Sequence, residues 1–151
     1  MRLTYVHDIF VGANKAYIYI WFSRVHEIIY VGMTNQRVGT LGRAAQHLDI
    51  RGTLRTRFEE SLGYSIDKSI DLILFTFPLP TQKEFVTVEK SYREAVEYLV
   101  QKYLIELQGK LKYSYKVISW VRANERISNS QIISIANNII HEFVTVLSNS
   151  L

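Results

Sequence analysis

Two apolar runs joined by a short polar link dominate the first part of the chain. The runs are AYIYIWF at residues 16–22 and IIYVGMT at residues 28–34, and five residues separate them. β-branched and aromatic residues of this kind are typical of strands, and the short link favours an antiparallel hairpin. The first run is apolar on both faces, so we expect its strand to be covered on both sides.

Helical patterns follow the hairpin. LGRAAQHL at residues 41–48 and TLRTRFEESL at residues 53–62 predict two short helices, with Thr40 and Thr53 as N-caps. Gly63 is placed to end the second of them. Apolar positions three and four residues apart predict a longer helix over residues 87–107.

The remaining segments complete the predicted fold. SIDLILFTFPL at residues 69–79 predicts a third strand, which we expect to be central, and YSYKVISWV at residues 113–121 is a candidate for a further strand. Residues 128–151 predict a last helix, capped by Ser128 or Ser130. The predicted class is α/β (α+β), with a small three-stranded, mainly antiparallel sheet flanked by helices.

The domain organisation follows from the same pattern. We expect one domain over residues 1–108, and a C-terminal helical extension over residues 109–151 that packs on this core or forms an oligomer interface. A homodimer through the C-terminal helix is one possible use of its apolar stripe.

Composition excludes several classes of protein. The chain has 151 residues, of which 48% are apolar, and no low-complexity tract, so it is long and apolar enough for a globular core. No apolar run reaches the ~20 residues of a membrane span, and no signal-peptide pattern is present, so we expect a cytoplasmic protein without a membrane partner. The absence of cysteine excludes disulfides, thiol nucleophiles and zinc sites built on thiolates.

Positive charge is concentrated in one segment. The net charge is +4, and residues 37–57 contain five arginines against the single acid Asp49. These arginines are Arg37, Arg43, Arg51, Arg55 and Arg57. Arginine binds phosphate through two parallel hydrogen bonds, so the segment predicts a surface for a polyanion. A solvated basic face is the alternative.

Several residues with useful chemistry are spaced so that they could meet. Tyr19 and Tyr30 lie on the two adjacent strands, and Arg43 and His47 are four residues apart on one helix face. Glu97 lies at the edge of the apolar stripe of the long helix.

Each of these residues also has a plain structural explanation. Tyrosines are common in strands, and Arg43 could be an ordinary surface arginine. His47 could interact with the C-terminal dipole of its helix. Glu97 could pair with Arg93, four residues earlier on the same helix. Glu89 and Glu94 are its rivals as a metal ligand.

The ordered pattern resembles the GIY-YIG nuclease family. The elements are YIYIW, then YVGMT after an eleven-residue step between Tyr19 and Tyr30, then Arg43 with His47, and then EYLVQK in a later helix. The resemblance covers residues 16–107, about the size of that domain. Tyr17 stands where the family usually has its first glycine, and the family's functional tyrosine corresponds to Tyr19.

The resemblance implies a role for each of these residues. Tyr19 would be a general base, which requires cations to lower a pKa that is ordinarily near ~10. Tyr30 would hydrogen-bond the nucleophile or the phosphate, or share the role of base, and Arg43 would hold the phosphate. His47 would assist proton movement or contact the phosphate. Glu97 would bind Mg²⁺ or Mn²⁺. The arginines outside the catalytic set would track the DNA backbone: Arg37, Arg51, Arg55 and Arg57.

The leading hypothesis is therefore a Mg²⁺-dependent DNA endonuclease that hydrolyses phosphodiester bonds. A non-catalytic nucleic-acid-binding domain of the same fold is the alternative. A third possibility is an interaction protein in which the tyrosines belong to the core and the arginines are solvated.

Overall fold

The computed structural model describes residues 15–34, 39–69 and 71–150. The strands are β1 (Tyr17–Ser23), β2 (Ile28–Thr34), β3 (Ile73–Pro78) and β4 (Lys116–Val117). The helices are α1 (Gly39–Leu48), α2 (Thr53–Leu62), α3 (Lys83–Val86), α4 (Ser91–Glu106) and α5 (Ser130–Ser150). Short 3-10 turns span Ile66–Lys68 and Glu125–Ser128. The α+β class is as predicted.

The strands form a four-stranded mixed sheet in the order β3-β1-β2-β4. β1 pairs antiparallel with both β2 and β3, and β4 pairs parallel with β2. The prediction of three mainly antiparallel strands was therefore one strand short. β3, which was predicted to be central, is an edge strand, because β1 lies between β2 and β3. All seven residues of β1 are buried, whereas most of β3 is half-buried or exposed.

Alternation along the hairpin divides the interior into two layers. Ile18, Ile20 and Phe22 belong to a core that is completed by α4 and α5. Tyr19 and Tyr30 point to the other side of the sheet, where they join a second core formed with α1 and α2. The first strand is thus covered on both faces, as its composition predicted.

The C-terminal residues belong to the same core as the hairpin. Five residues of α5 are buried in the first layer: Ile132, Ala136, Ile139, Phe143 and Leu147. The Tyr115 hydroxyl also donates to the carbonyl oxygen of Leu104 at 2.8 Å, which ties the segment before β4 to α4. Most of the apolar stripe of α5 is thus covered within one chain.

The helix ends differ in detail from the predictions. α2 has Gly52 as its N-cap, with Thr53 as its first residue, and Thr40 lies inside α1. The N-cap of α5 is Asn129, whose side-chain oxygen accepts from the backbone N–H groups of Gln131 and Ile132. Gly63 ends α2 as predicted, in a left-handed conformation with φ of 76° that disfavours other residues.

Arg93 is a buried structural residue of α4. Its guanidinium donates to the carbonyl oxygens of Phe85 at 2.7 Å and Thr87 at 2.9 Å, and its side chain is 2% exposed. These bonds attach the chain that follows α3 to α4. The alternative role of Glu97, an ion pair with Arg93, does not occur, because the guanidinium donates to backbone carbonyls instead.

We expect Arg93→Ala to lower the free energy of unfolding by about 2–4 kcal/mol, because it leaves two carbonyls without a donor and opens a cavity. Urea denaturation measures this change. Lys102→Ala on the same helix is the control, since Lys102 is exposed and its pair with Glu106 spans 3.7 Å. The control should change stability by less than about 0.5 kcal/mol. Equal losses in the two variants would contradict the assigned role of Arg93.

Candidate active site

The two motif tyrosines lie side by side on the α1/α2 face of the hairpin. Tyr19 pairs with Gly32 across the strands, and Trp21 pairs with Tyr30. The ring and hydroxyl of Tyr19 lie directly over Gly32, in the space where any other residue would place its Cβ. Gly32 therefore makes room for the Tyr19 ring.

His47 closes this surface from α1. The Tyr19 hydroxyl is hydrogen-bonded to His47 Nε2. The imidazole also contacts both tyrosine rings, with centroid distances of 5.1 Å to Tyr19 and 5.6 Å to Tyr30. His47 is 3% exposed, so the pair is shielded from bulk water. Arg43 and His47 were predicted to share one face of α1. His47 on that face contacts the hairpin.

Arg43 supplies the positive charge of the site. It lies one turn before His47 on α1, and its Nη1 donates to the side-chain oxygen of Gln46 at 2.9 Å. Its Nε is buried with no protein partner among the described residues. The charge of Arg43 acts on Tyr19, Tyr30 and Glu97, lowering the pKa of each against a larger increase from burial.

Glu97 is the carboxylate of α4 whose charge acts on both tyrosines. It is half-buried on α4, and its negative charge adds to the increase that burial produces in the pKa of Tyr19 and Tyr30. Within the part of the chain that the structure describes, it forms no hydrogen bond or ion pair.

The rival carboxylates are engaged elsewhere. Glu94 pairs with Lys90 at 3.0 Å, and Glu89 accepts a hydrogen bond from the Ser91 hydroxyl. Glu97 is therefore the carboxylate of this helix that can act in the site.

Burial disfavours the charged forms of Tyr19, Tyr30, Glu97 and His47. It raises the pKa of Tyr19 well above its ordinary value and that of Tyr30 to about 12. It raises the pKa of Glu97 to about 8 and, with the charge of Arg43, lowers that of His47 to about 4. Arg43 lowers the pKa of Tyr19, as the role of a base requires, but burial raises that pKa by more. His47 is neutral at pH 7.

The arginines predicted to bind DNA have different surroundings. Arg55 donates to both carboxylate oxygens of Asp67 at 2.9 and 2.7 Å and also pairs with Glu59. Because acidic side chains already occupy its guanidinium, Arg55 is a poor candidate for a phosphate contact.

The other three arginines are not enclosed in this way. Arg57 is 44% exposed and pairs with Glu60, and its charge lowers the pKa of Tyr30. Arg51 is exposed in the turn before α2. Arg37 lies outside the described residues.

Two contacts of the site were missed from sequence. Gln46 orients Arg43, and Thr53 lies near Tyr30 and lowers its pKa. Gln46 lies three residues after Arg43, so helical spacing could have identified it. Thr53 is first in α2 and had been assigned to capping. No sequence pattern indicates its contact with a strand residue.

The donor set fits a hard divalent cation at one carboxylate. A half-buried carboxylate without a protein counterion is stabilised when a cation arrives, and Mg²⁺ commonly binds one or two carboxylates and keeps several waters. No cluster of three or more His, Asp or Glu that could enclose a metal occurs among residues 15–34, 39–69 and 71–150. Glu97 would therefore hold the ion with water and substrate oxygens, and not within a protein cage.

Comparisons with protein-family models, with curated proteins and with solved structures found no match to this chain. The resemblance to GIY-YIG nucleases therefore depends on the residues and geometry described above. Over the described part of the chain, no helix has the length and hydropathy needed to cross a membrane.

We expect Gly32→Ala to destabilise the protein by about 1–3 kcal/mol, because the new methyl group overlaps the Tyr19 ring. The control is the same substitution in a Tyr19→Ala background, where the ring is gone. There it should cost less than about 0.5 kcal/mol beyond Tyr19→Ala itself. Urea denaturation of the four proteins gives this coupling energy. A cost that is independent of the Tyr19 side chain would show that Gly32 serves another purpose.

We expect Glu97→Gln to stabilise the metal-free protein at high pH. The pKa of Glu97 rises from its ordinary 4.5 to about 8, so the stability that this group confers when protonated is lost as pH rises toward 8. Thermal unfolding in a chelator should show little difference near pH 4. Near pH 9 the variant should have a Tm at least about 3 °C higher. Glu94→Gln is the matched control, and an equal response from it would contradict the assignment.

Proposed function

We propose that this protein is a Mg²⁺-dependent DNA endonuclease that hydrolyses phosphodiester bonds. The observation that carries the proposal is the convergence of two tyrosines, an arginine, a neutral histidine and an unpaired carboxylate from four different elements. Phosphodiester hydrolysis needs an activated water, a cation on the phosphate and stabilisation of the leaving oxygen.

Arg43 would bind the non-bridging oxygens of the scissile phosphate. Its charge acts on both tyrosines, and it forms no ion pair with a described carboxylate. Charge-assisted hydrogen bonds from its guanidinium would strengthen as negative charge accumulates in the transition state.

The Tyr19–His47 pair would remove the proton of the attacking water. A phenol with a raised pKa is a poor source of phenolate, but its hydroxyl is already hydrogen-bonded to a neutral imidazole. The Tyr19 oxygen can accept a proton from water while its own proton passes to His47 Nε2. Tyr30, on the other side of the imidazole, would hydrogen-bond the water or the phosphate.

Glu97 would hold the Mg²⁺ or Mn²⁺ ion, which supplies Lewis-acid stabilisation of the leaving oxygen when bound. The carboxylate must lose its proton to bind a cation, and its pKa of about 8 means that metal binding is favoured as pH rises. A neutral Glu97 at lower pH would keep the site inactive.

Arg51 and Arg57 would contact the DNA backbone beside this centre. Arg51 lies in the turn that joins α1 to α2, and Arg57 lies in α2. The charge of Arg57 lowers the pKa of Tyr30. Because each such contact releases counterions from DNA, binding should weaken steeply with salt.

A non-catalytic DNA-binding domain is the second candidate. Two observations favour it: Tyr17, buried at the start of β1, replaces the usual glycine, and burial raises the pKa of Tyr19. This alternative predicts salt-sensitive DNA binding without strand cleavage.

We expect the protein to nick supercoiled plasmid in Mg²⁺, and Glu97→Gln to reduce the rate at least about a hundredfold. Tyr19→Phe should cost a similar factor, because it removes both the acceptor and the relayed proton. Agarose-gel time courses measure both rates. Glu94→Gln, on the same helix but paired with Lys90, should retain wild-type activity.

Binding in a chelator, followed by fluorescence anisotropy, separates the two candidates. Salt-sensitive binding with no nicking by the folded wild-type protein in Mg²⁺ or Mn²⁺ would favour the binding domain. Neither binding nor nicking would contradict both.

A further inference from the structure

Among the residues that the structure describes, Trp120 is the most exposed aromatic side chain. Its side chain is 65% exposed, whereas the other tryptophan of the chain, Trp21, is 5% exposed. A large flat ring is costly to leave in water, and such rings are common where nucleic acids are bound by stacking.

Trp120 lies beside the strand that carries Tyr30. The chain after β4 continues along the free edge of β2, where Ile118 N–H donates to the Ile29 carbonyl at 2.8 Å and Val31 N–H donates to Ser119 Oγ at 3.0 Å. Val31 is the residue between Tyr30 and Gly32. Trp120 is thus one residue from a contact with the edge of the candidate active site.

The surroundings of Trp120 match a nucleic acid. The guanidinium carbon of Arg122 lies 5.3 Å from the centre of the indole ring, so the cation already stacks on one face of it. Residues 110–126 contain five basic residues against one acid, Glu125. Of the basic ones, Lys110, Lys112, Lys116 and Arg122 are exposed. This excess of positive charge favours a polyanionic partner.

We propose that Trp120 and Arg122 form a stacking platform for an unpaired base of the DNA substrate, next to the scissile phosphate. The proposal rests on the proposed nuclease function and adds a substrate class to it: DNA with unpaired nucleotides beside the cleavage point. Bases in an intact duplex are stacked on each other, so only an unpaired or splayed nucleotide presents a face to the indole. The basic side chains of residues 110–122 would follow its phosphates.

Tryptophan fluorescence tests the stacking without requiring cleavage. A single-stranded oligothymidylate added to the full chain in a chelator should quench the emission, because the exposed Trp120 contacts the bases while Trp21 is buried. An oligomer of the same length with abasic sites carries the same phosphates and should bind without comparable quenching. Trp120→Phe should abolish most of the quenching.

Affinity gives the second measurement. Trp120→Ala should weaken binding of a labelled oligothymidylate by about tenfold, while Trp120→Phe, which keeps an aromatic face, should stay within about threefold of wild type. Val88→Ala removes another exposed apolar side chain, 96% exposed, and should have no effect, since it removes no aromatic face. Quenching that persists in Trp120→Phe, or equal affinities of wild type and Trp120→Ala, would overturn the proposal.

Cleavage shows whether the platform acts in substrate choice. Trp120→Ala should lower the rate on a forked duplex by about tenfold and leave the rate on the matching full duplex unchanged. Equal losses on both substrates would overturn the assigned preference. If wild type nicks plasmid but shows no base-dependent quenching, the platform fails and the nuclease stands. If quenching is base-dependent but nothing is cleaved, the nuclease fails and the binding surface stands.

Discussion

The contact between Tyr19 and His47 joins the two halves of the candidate site. Tyr19 belongs to the central strand and His47 to α1, and their hydrogen bond holds the first helix against the hairpin. Gly32 makes this possible, because only a residue without a side chain leaves space for the Tyr19 ring on the neighbouring strand. The position of Arg43 follows, since one turn of rigid helix separates it from His47. One contact thus determines where Arg43 stands relative to the tyrosines.

The same burial that orders these groups makes their charged forms unfavourable. The tyrosines and Glu97 hold their protons more tightly than in water, and His47 holds one less tightly. A site of this kind is stable when neutral and has one nearby cation, Arg43. It favours an incoming divalent cation, which would stabilise the carboxylate, and a phosphate, which would pair with the guanidinium. Burial of titratable groups whose charged forms are disfavoured is a common property of catalytic centres.

Local patterns predicted the elements that carry the site. The alternating strands, the helix that presents Arg43 and His47 together, and the long amphipathic helix with Glu97 all follow from short-range periodicity. The sheet order did not follow, because β3 has an apolar run that would suit a central strand, and only its long-range pairing places it at an edge. β4 was indicated only as a longer strand, since two residues of parallel pairing produce almost no sequence signal. Asn129 was missed between two serines that are equally good caps.

By itself, the sequence determined which residue types were available and which of them share a helix face or a strand side, because these depend on periods of 3.6 and 2 residues. Tertiary structure decided among chemically equal candidates. Glu89, Glu94 and Glu97 have the same side chain and differ only in their partners. Lys90 pairs with Glu94, and Ser91 donates to Glu89. Arg93, which could have paired with Glu97, donates to backbone carbonyls instead. Tertiary structure also decided whether the pKa of Tyr19 is raised or lowered. Burial and nearby charge compete there, and their balance depends on distances that only the folded chain establishes.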